Sequence, residues 1–337
     1  MKPNRRQPDA LACVAPSALI GQDTLSPEQA EAVSDALTSA NAGNTIRAYT
    51  DDWKKFVEWC GHEGKMPLPA STATVCAFLT DLAKDYRAST IGRRLVGIAY
   101  IHRLKGFPPP IDMAVRTVMR GLRRKLGVRP ERKKAADGAV MRRLLATICG
   151  EGLPTLRDRA LLLLGFAGAF RREALCTLRV EDLTFHPDRM DVLIRRGKED
   201  QEGSGRTIGI PRIGGPLCPV TAVECWLSVL GMPATGWLFR GLTRWGTARQ
   251  KKPLAPAMVA TLVKRACQKA GLKKEDFSGH SLRAGHATQA YRGGAGVAEI
   301  MATGGWKSAD TVMRYIREAD TLRGTSTTAV KLDKETK

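Results

Sequence analysis

The chain has 337 residues, 43% of them hydrophobic, enough to bury a sizeable core and, at this length, to form two domains. Its formal charge of +21 argues against an acidic surface or a cationic partner and points to a polyanion, most commonly nucleic acid. No apolar run approaches the roughly 18 residues of a membrane span, the opening MKPNRRQPDALACVAPSALI lacks a signal-peptide core, and the eight cysteines form no CxxC pair; these features disfavour a membrane protein, a disulfide scaffold and a zinc module.

Residues 1–24 are polar and read as a flexible N-terminus. Ser26, Pro27 and Gln29 form a capping box with proline at the first helical position, which predicts a short helix to about Leu37. Asn44 is placed to cap a second helix, in which Ile46, Tyr49, Trp53, Phe56, Val57 and Cys60 recur at helical spacing until Gly61. Further helices are predicted near 71–84, from Ser89 to the GFPPP break, and over about 112–126, so residues 25–126 read as an all-helical DNA-binding domain. From Lys84 to Lys134 there are fifteen Lys and Arg against three acids. That imbalance suits a surface that tracks a phosphate backbone, where each neutralised phosphate releases counterions. GVRPERKKAADG, 127–138, reads as an exposed interdomain linker.

The second domain, 139–320, opens with helices near 138–149 and 156–167. LLLLGFAGAF is too short for a bilayer and reads as a buried core helix. It delivers Arg171 and Arg172, either paired in the core or held to receive an anion, and LCTLRVEDL follows as another helix. A β-hairpin is predicted, with one strand around 190–196, the other around 206–210, and Lys198 in the turn. Helices near 219–230 and 255–270 come next, the second bearing Lys264 and Arg265.

The most informative stretch is 280–315. His280 and Arg283 stand three apart in a predicted helix and share one face, so both can address one anion. Gly293, Gly294 and Gly296 break that helix, 297–302 form another short one, and GGW at 304–306 makes a turn ending on an indole. Ser308 is placed to cap a last helix carrying Thr311, Val312, Tyr315 and Ile316. A tyrosine phenol, with a pKa of roughly 10, is a poor nucleophile unless a neighbour takes its proton or stabilises charge nearby. The tail, 321–337, is polar and weakly patterned.

Taken in order, LLLLGFAGAFRREALCTLRVEDL, RRGKEDQ, SGHSLRAG, GGWKS and VMRYIR resemble the tyrosine recombinases of the phage integrase family, the C-terminal third being most similar to the Cre type. The resemblance implies a mainly α fold with a small β-hairpin or sheet, in which a helical core-binding domain and a catalytic domain form a clamp on duplex DNA. It assigns Arg171 and Arg283 to the phosphate, Lys198 to general acid, His280 to proton movement, Trp306 to the pocket and Tyr315 to nucleophilic attack. It further implies a 3′-phosphotyrosine intermediate, strand exchange through a Holliday junction by a homotetramer on two double-stranded sites, no cofactor and no metal, and a cytoplasmic, nucleoid-associated prokaryotic setting. Accessory proteins are not specified. Ala174 stands where the family often carries an acid, so a catalytically impaired DNA-binding homologue stays open, as does an enzyme like a type IB topoisomerase or telomere resolvase. From helix placement, Arg47, Lys54, Arg93, Arg94, Lys264 and Arg265 are the candidates for DNA contact.

Overall fold

The structure is a computed structural model and describes residues 26, 28, 29, 43–127, 133–195, 205–243, 245 and 247–319. The expectations for residues 1–24, for Lys198 and for the tail 321–337 lie outside those residues. The chain divides into two compact units, Met1–Pro130 and Glu131–Lys337.

The first unit contains α1 (Gly43–His62), α2 (Thr72–Leu82), α3 (Ala88–Leu104) and α4 (Met113–Leu126). Local chemistry sets the helix starts: Ser71 Oγ accepts the Thr74 N–H at 3.1 Å, and Asp112 Oδ1 accepts the Val115 N–H at 3.0 Å. Further upstream, Ser26 and Gln29 exchange bonds of 2.9 and 3.2 Å, the reciprocal pair of a capping box. α1 begins at Gly43, so Asn44 lies within its first turn and not at the cap.

Phe56 and Phe78 meet edge to face in the core, their centroids 5.0 Å apart. Buried His102 ties α3 to the loop before α2: Nδ1–H donates to the Ile98 carbonyl at 2.8 Å and Nε2 accepts the Ala70 N–H at 3.0 Å. Burial lowers its pKa, so the ring stays neutral. On α4, Val115, Met119 and Leu122 face the core while Arg116, Arg120, Arg123 and Arg124 face solvent.

Arg94 corrects an expectation. It is only 3% exposed, lies 3.9 Å from the centre of the Tyr86 ring and sits 3.6 Å from Asp52. Together with Arg93 it compensates the buried carboxylate of Asp52, so its charge answers that acid and not a DNA phosphate.

The second unit contains α5 (Gly138–Ala146), α6 (Leu153–Ala167), α7 (Arg172–Cys176), β1 (Leu183–Phe185), β2 (Arg189–Ile194), β3 (Arg206–Pro211), α8 (Pro219–Val229), β4 (Arg240–Leu242), β5 (Ala248–Pro253), α9 (Pro256–Lys269), α10 (His280–Arg292), α11 (Val297–Gly304) and α12 (Ala309–Ala319). α6 is buried on nearly every side, as its unbroken leucines predict. It packs against α8, whose Trp226 donates from Nε1 to the Leu238 carbonyl at 2.7 Å. β1, β2 and β3 form an antiparallel sheet; pairing Met190 with Ile210 and Val192 with Ile208 sends all four side chains into the core.

Two further expectations are corrected. LCTLRVEDL is not one helix: α7 ends at Cys176, and the chain straightens because Leu178 and Val180 pair their backbones with Leu238 and Gly236 before β1 begins. The linker ends sooner than its polar composition suggests. The Lys134 N–H donates to Asp276, the Ala136 N–H to Ser281 and the Gly138 N–H to Gln289 Oε1, and Ala136 is 0% exposed. A side chain at Gly285 would strike the Ala136 carbonyl at 1.9 Å, so this glycine allows the segment to lie on α10. Among the described residues no helix is long and apolar enough to cross a membrane.

Candidate active site

α10, α11, α12 and the end of α6 enclose a small apolar cluster of Ala169, Ala287, Ile300, Trp306, Val312 and Ile316. The reacting groups stand at its border. α6 leaves its last turn through Ala169, whose φ of 49° is left-handed, a conformation that costs a non-glycine residue on the order of 1 kcal/mol. Arg171 follows at the cap of α7, half-buried.

His280 opens α10. The Ser278 hydroxyl accepts the His280 N–H at 3.2 Å, and the Ser281 hydroxyl accepts the Ser278 N–H at 2.9 Å, which fixes the entry to the helix. Nε2 of His280 lies 2.8 Å from Tyr315 Oη on α12. One turn along α10, Arg283 is 1% exposed. Its Nη1 donates to the carbonyls of Ala169 and Gly304, the latter at 2.6 Å, and its guanidinium carbon is 3.7 Å from the centre of the Trp306 ring. The Trp306 and Tyr315 rings are 6.1 Å apart.

The glycines of GGW have separate reasons. A Cβ at Gly304 would lie 2.0 Å from Trp306 Cζ3, so the indole occupies the space that a side chain would need. Gly305 closes α11 with φ 63°, and a Cβ there would lie 2.8 Å from Arg206 Nε.

Arg206 is the residue that sequence reasoning missed. It starts β3 and reaches the far end of α11, where Nη1 donates to the carbonyls of Ala302 and Thr303 at 2.8 and 2.7 Å. Burial, and then the like charge of Arg171, lower its pKa. The last carbonyls of α11, negative by the helix dipole, thus receive two arginines, with Arg171 close enough for its field to be felt. The available signal was a cation on the first residue returning from the hairpin; its acceptors are 96 and 97 residues away.

Beside Tyr315 opens a cavity of about 240 Å³ lined by Lys133, Ser278, His280, Ala284, Thr311, Arg314 and Tyr315. Lys133, at the end of the linker, donates to the Glu275 carbonyl at 2.5 Å. Ala174 packs against the core and Glu173 is exposed on α7, so position 174 supplies no carboxylate.

The structure therefore brings together His280, Arg283, Trp306 and Tyr315, and places Arg171 beside Arg206. Arg47 and Lys54 are exposed on α1 and Arg93 pairs with Asp52. On α9 Lys264 is exposed, while Arg265 holds buried Asp158 at 2.9 Å. His286 turns away from His280, pairing Nδ1 with the Phe166 carbonyl at 2.9 Å; burial lowers its pKa. Among the described residues no group of three or more His, Cys, Asp or Glu is arranged to hold a metal.

The phage integrase family model matches residues 135–321. An integrase/recombinase XerD homologue of Selenomonas ruminantium is 37% identical over 292 residues, 85% of each chain. The chain belongs to the phage integrase family of tyrosine recombinases. The recombinase, an enzyme of DNA strand breakage and transfer, is also 28% identical to the Cre recombinase of Escherichia phage P1, over 80% of this chain and 83% of that one. Its fold is that of XerH site-specific recombinase bound to palindromic difH, with a TM-score of 0.62 across 93% of this chain and 86% of that one at 18% identity. A lambda integrase dimer bound to a COC′ core site gives 0.55 across 90% and 84%, at 16% identity.

Proposed function

We propose that the recombinase cuts DNA with Tyr315 as nucleophile; the observation that carries this is the 2.8 Å contact between Tyr315 Oη and His280 Nε2. A neutral His280 accepts the phenolic proton as Oη attacks the scissile phosphorus. The new bond joins phosphorus to the tyrosine oxygen, and the bond from phosphorus to the 5′-oxygen breaks. Lys198, by the family resemblance, gives that oxygen its proton. The resulting 3′-phosphotyrosine retains the energy of the phosphodiester, so a partner strand's 5′-hydroxyl can reverse the step and complete the exchange.

Arg171 and Arg283 are assigned to the non-bridging oxygens, whose charge grows as phosphorus becomes five-coordinate. The bonds of Arg283 to Ala169 and Gly304 support this role, because a guanidinium held in place beforehand needs little reorganisation during the reaction. Trp306 backs Arg283 and packs the pocket.

The wider assembly in this reading is a homotetramer on two double-stranded sites, passing through a Holliday junction. A lambda integrase tetramer bound to a Holliday junction has the same fold, with a TM-score of 0.55. In this reading the segment 25–126, which carries the cationic face of α4, is the core-binding domain, and 139–320 is the catalytic domain. The bacterial and phage relatives suggest work at a prokaryotic nucleoid, in the cytoplasm.

The test is covalent trapping. Full-length protein and its Tyr315→Phe variant are incubated in EDTA with nicked duplexes made from DNA flanking its own gene. A protein–DNA adduct formed only with Tyr315 supports the assignment; binding to a mapped site without an adduct overturns it.

A further inference from the structure

The most one-sided charge in the second unit lies apart from the cavity. From Cys225 to Lys274 the chain carries ten Lys or Arg and no Asp or Glu. Within this stretch β4 and β5 pair antiparallel, Arg240 opposite Pro253 and Leu242 opposite Ala248. The tip of that hairpin is tightly tied. Thr243 Oγ1 accepts the N–H groups of Trp245 at 3.3 Å and Thr247 at 3.2 Å, the two threonine hydroxyls are 2.7 Å apart, and the Thr243 N–H donates to the Thr247 carbonyl at 2.9 Å.

This turn holds Trp245 at its apex, 76% exposed and the most exposed large apolar side chain among the described residues. Arg249, Lys251 and Lys252 line the returning strand, all exposed. The turn is closed by the hydroxyls and backbone of Thr243 and Thr247. Leaving that much apolar surface in water forgoes burial at roughly 25 cal/mol per Å². An exposed aromatic ring on a hairpin with exposed cations is a combination that grips nucleic acid, the ring against sugar and base edges and the cations on phosphates.

We infer that the β4–β5 hairpin is a DNA-gripping arm, with Trp245 seated in a groove of the duplex and Arg249, Lys251 and Lys252 on the flanking phosphates. This rests on the reading of the chain as a DNA recombinase and adds a second contact surface, remote in sequence from Tyr315. The two contributions differ in kind. The indole adds salt-independent affinity, whereas each cation on a phosphate adds to the salt dependence.

The experiment titrates a fluorescein-labelled duplex of arbitrary sequence with full-length protein, Trp245→Ala, and the triple variant Arg249→Gln, Lys251→Gln, Lys252→Gln, at several salt concentrations. Trp245→Ala is expected to bind about 5- to 100-fold more weakly with its salt slope unchanged. The triple variant should lose about 2 to 3 from the slope of log K against log salt. In parallel, subtracting the fluorescence of Trp245→Phe from that of wild type isolates Trp245, which the duplex should shield from acrylamide. An indole equally quenched with and without DNA, Trp245→Ala binding within twofold of wild type, or tighter capture by anionic lipid vesicles than by the duplex would each overturn the arm. Tyr315 adducts measured on the same preparations separate that failure from a failure of the recombination reading, which would abolish adducts in wild type as well.

Discussion

Arg283 is sandwiched between the indole of Trp306, 3.7 Å from its guanidinium carbon, and two backbone carbonyls from distant parts of the chain, Ala169 and Gly304. A lysine has no planar face for the first contact, and its flexible stem does not hold one donor nitrogen on both carbonyls as the rigid guanidinium does. Arg283→Lys is therefore expected to form adduct at least about 100-fold more slowly at saturating DNA, because it removes transition-state contacts more than binding. Single-turnover cleavage beside a binding curve checks this; a loss confined to affinity would contradict it.

Gly304→Ala tests the space beneath Trp306. A methyl 2.0 Å from Cζ3 forces the ring to move, at an expected cost of about 1–3 kcal/mol. Thermal melting should show the loss, and adduct formation should fall further than melting alone accounts for, because Arg283 loses its backing. An unchanged melting temperature would mean that the ring is not seated there.

Removing Arg206 should matter although it was absent from the motif-based set. Arg206→Ala strips a shared donor from the Ala302 and Thr303 carbonyls, which are partly open to water, and a hydrogen bond of this kind contributes about 0.5–1.5 kcal/mol. Adduct formation is expected to drop by roughly the same free energy, about 2- to 12-fold. Arg206→Lys should recover only part, since one ammonium cannot reproduce the guanidinium geometry. Equal activity in wild type and the alanine variant would reduce Arg206 to a surface residue.

Stability should decline on mild acidification. Burial lowers the pKa of both His102 and His286, so below about pH 6.5 the unfolded chain takes up protons that the folded chain refuses. Their contribution is complete above that pH and is lost as pH falls towards the folded-state values, with a slope of up to about 1.4 kcal/mol per pH unit for each ring. Urea midpoints measured from pH 7.5 to 5 check the direction. A flat profile would show that neither imidazole is held neutral.

The parts legible in the sequence were those written at short range. His280 and Arg283 share a face by spacing alone, Tyr315 falls in a helix as its neighbours' spacing predicts, and the run of leucines in α6 predicts a buried helix. What escaped depends on partners far along the chain. Arg94 looks like any helical arginine until Asp52, 42 positions earlier, is packed against it. Arg206 needed the end of α11. The strands of the β4–β5 hairpin, RGL and ARQKKP, lack alternating apolar residues, so periodicity could not find them. LCTLRVEDL has helical composition, yet its backbone pairs with residues 236–238, and that contact decides its form.

The junction between linker and α10 has a mechanical consequence. Lys134, Ala136 and Gly138 are fastened from the approach to α10 at Asp276 to its distal half at Gln289, and Asp137 adds an ion pair to Arg292. A pull arriving from the N-terminal side is thus met first by the turn at Glu275 and Asp276 and next by the helix that carries His280 and Arg283. The load path into the catalytic unit reaches its chemistry within a few residues.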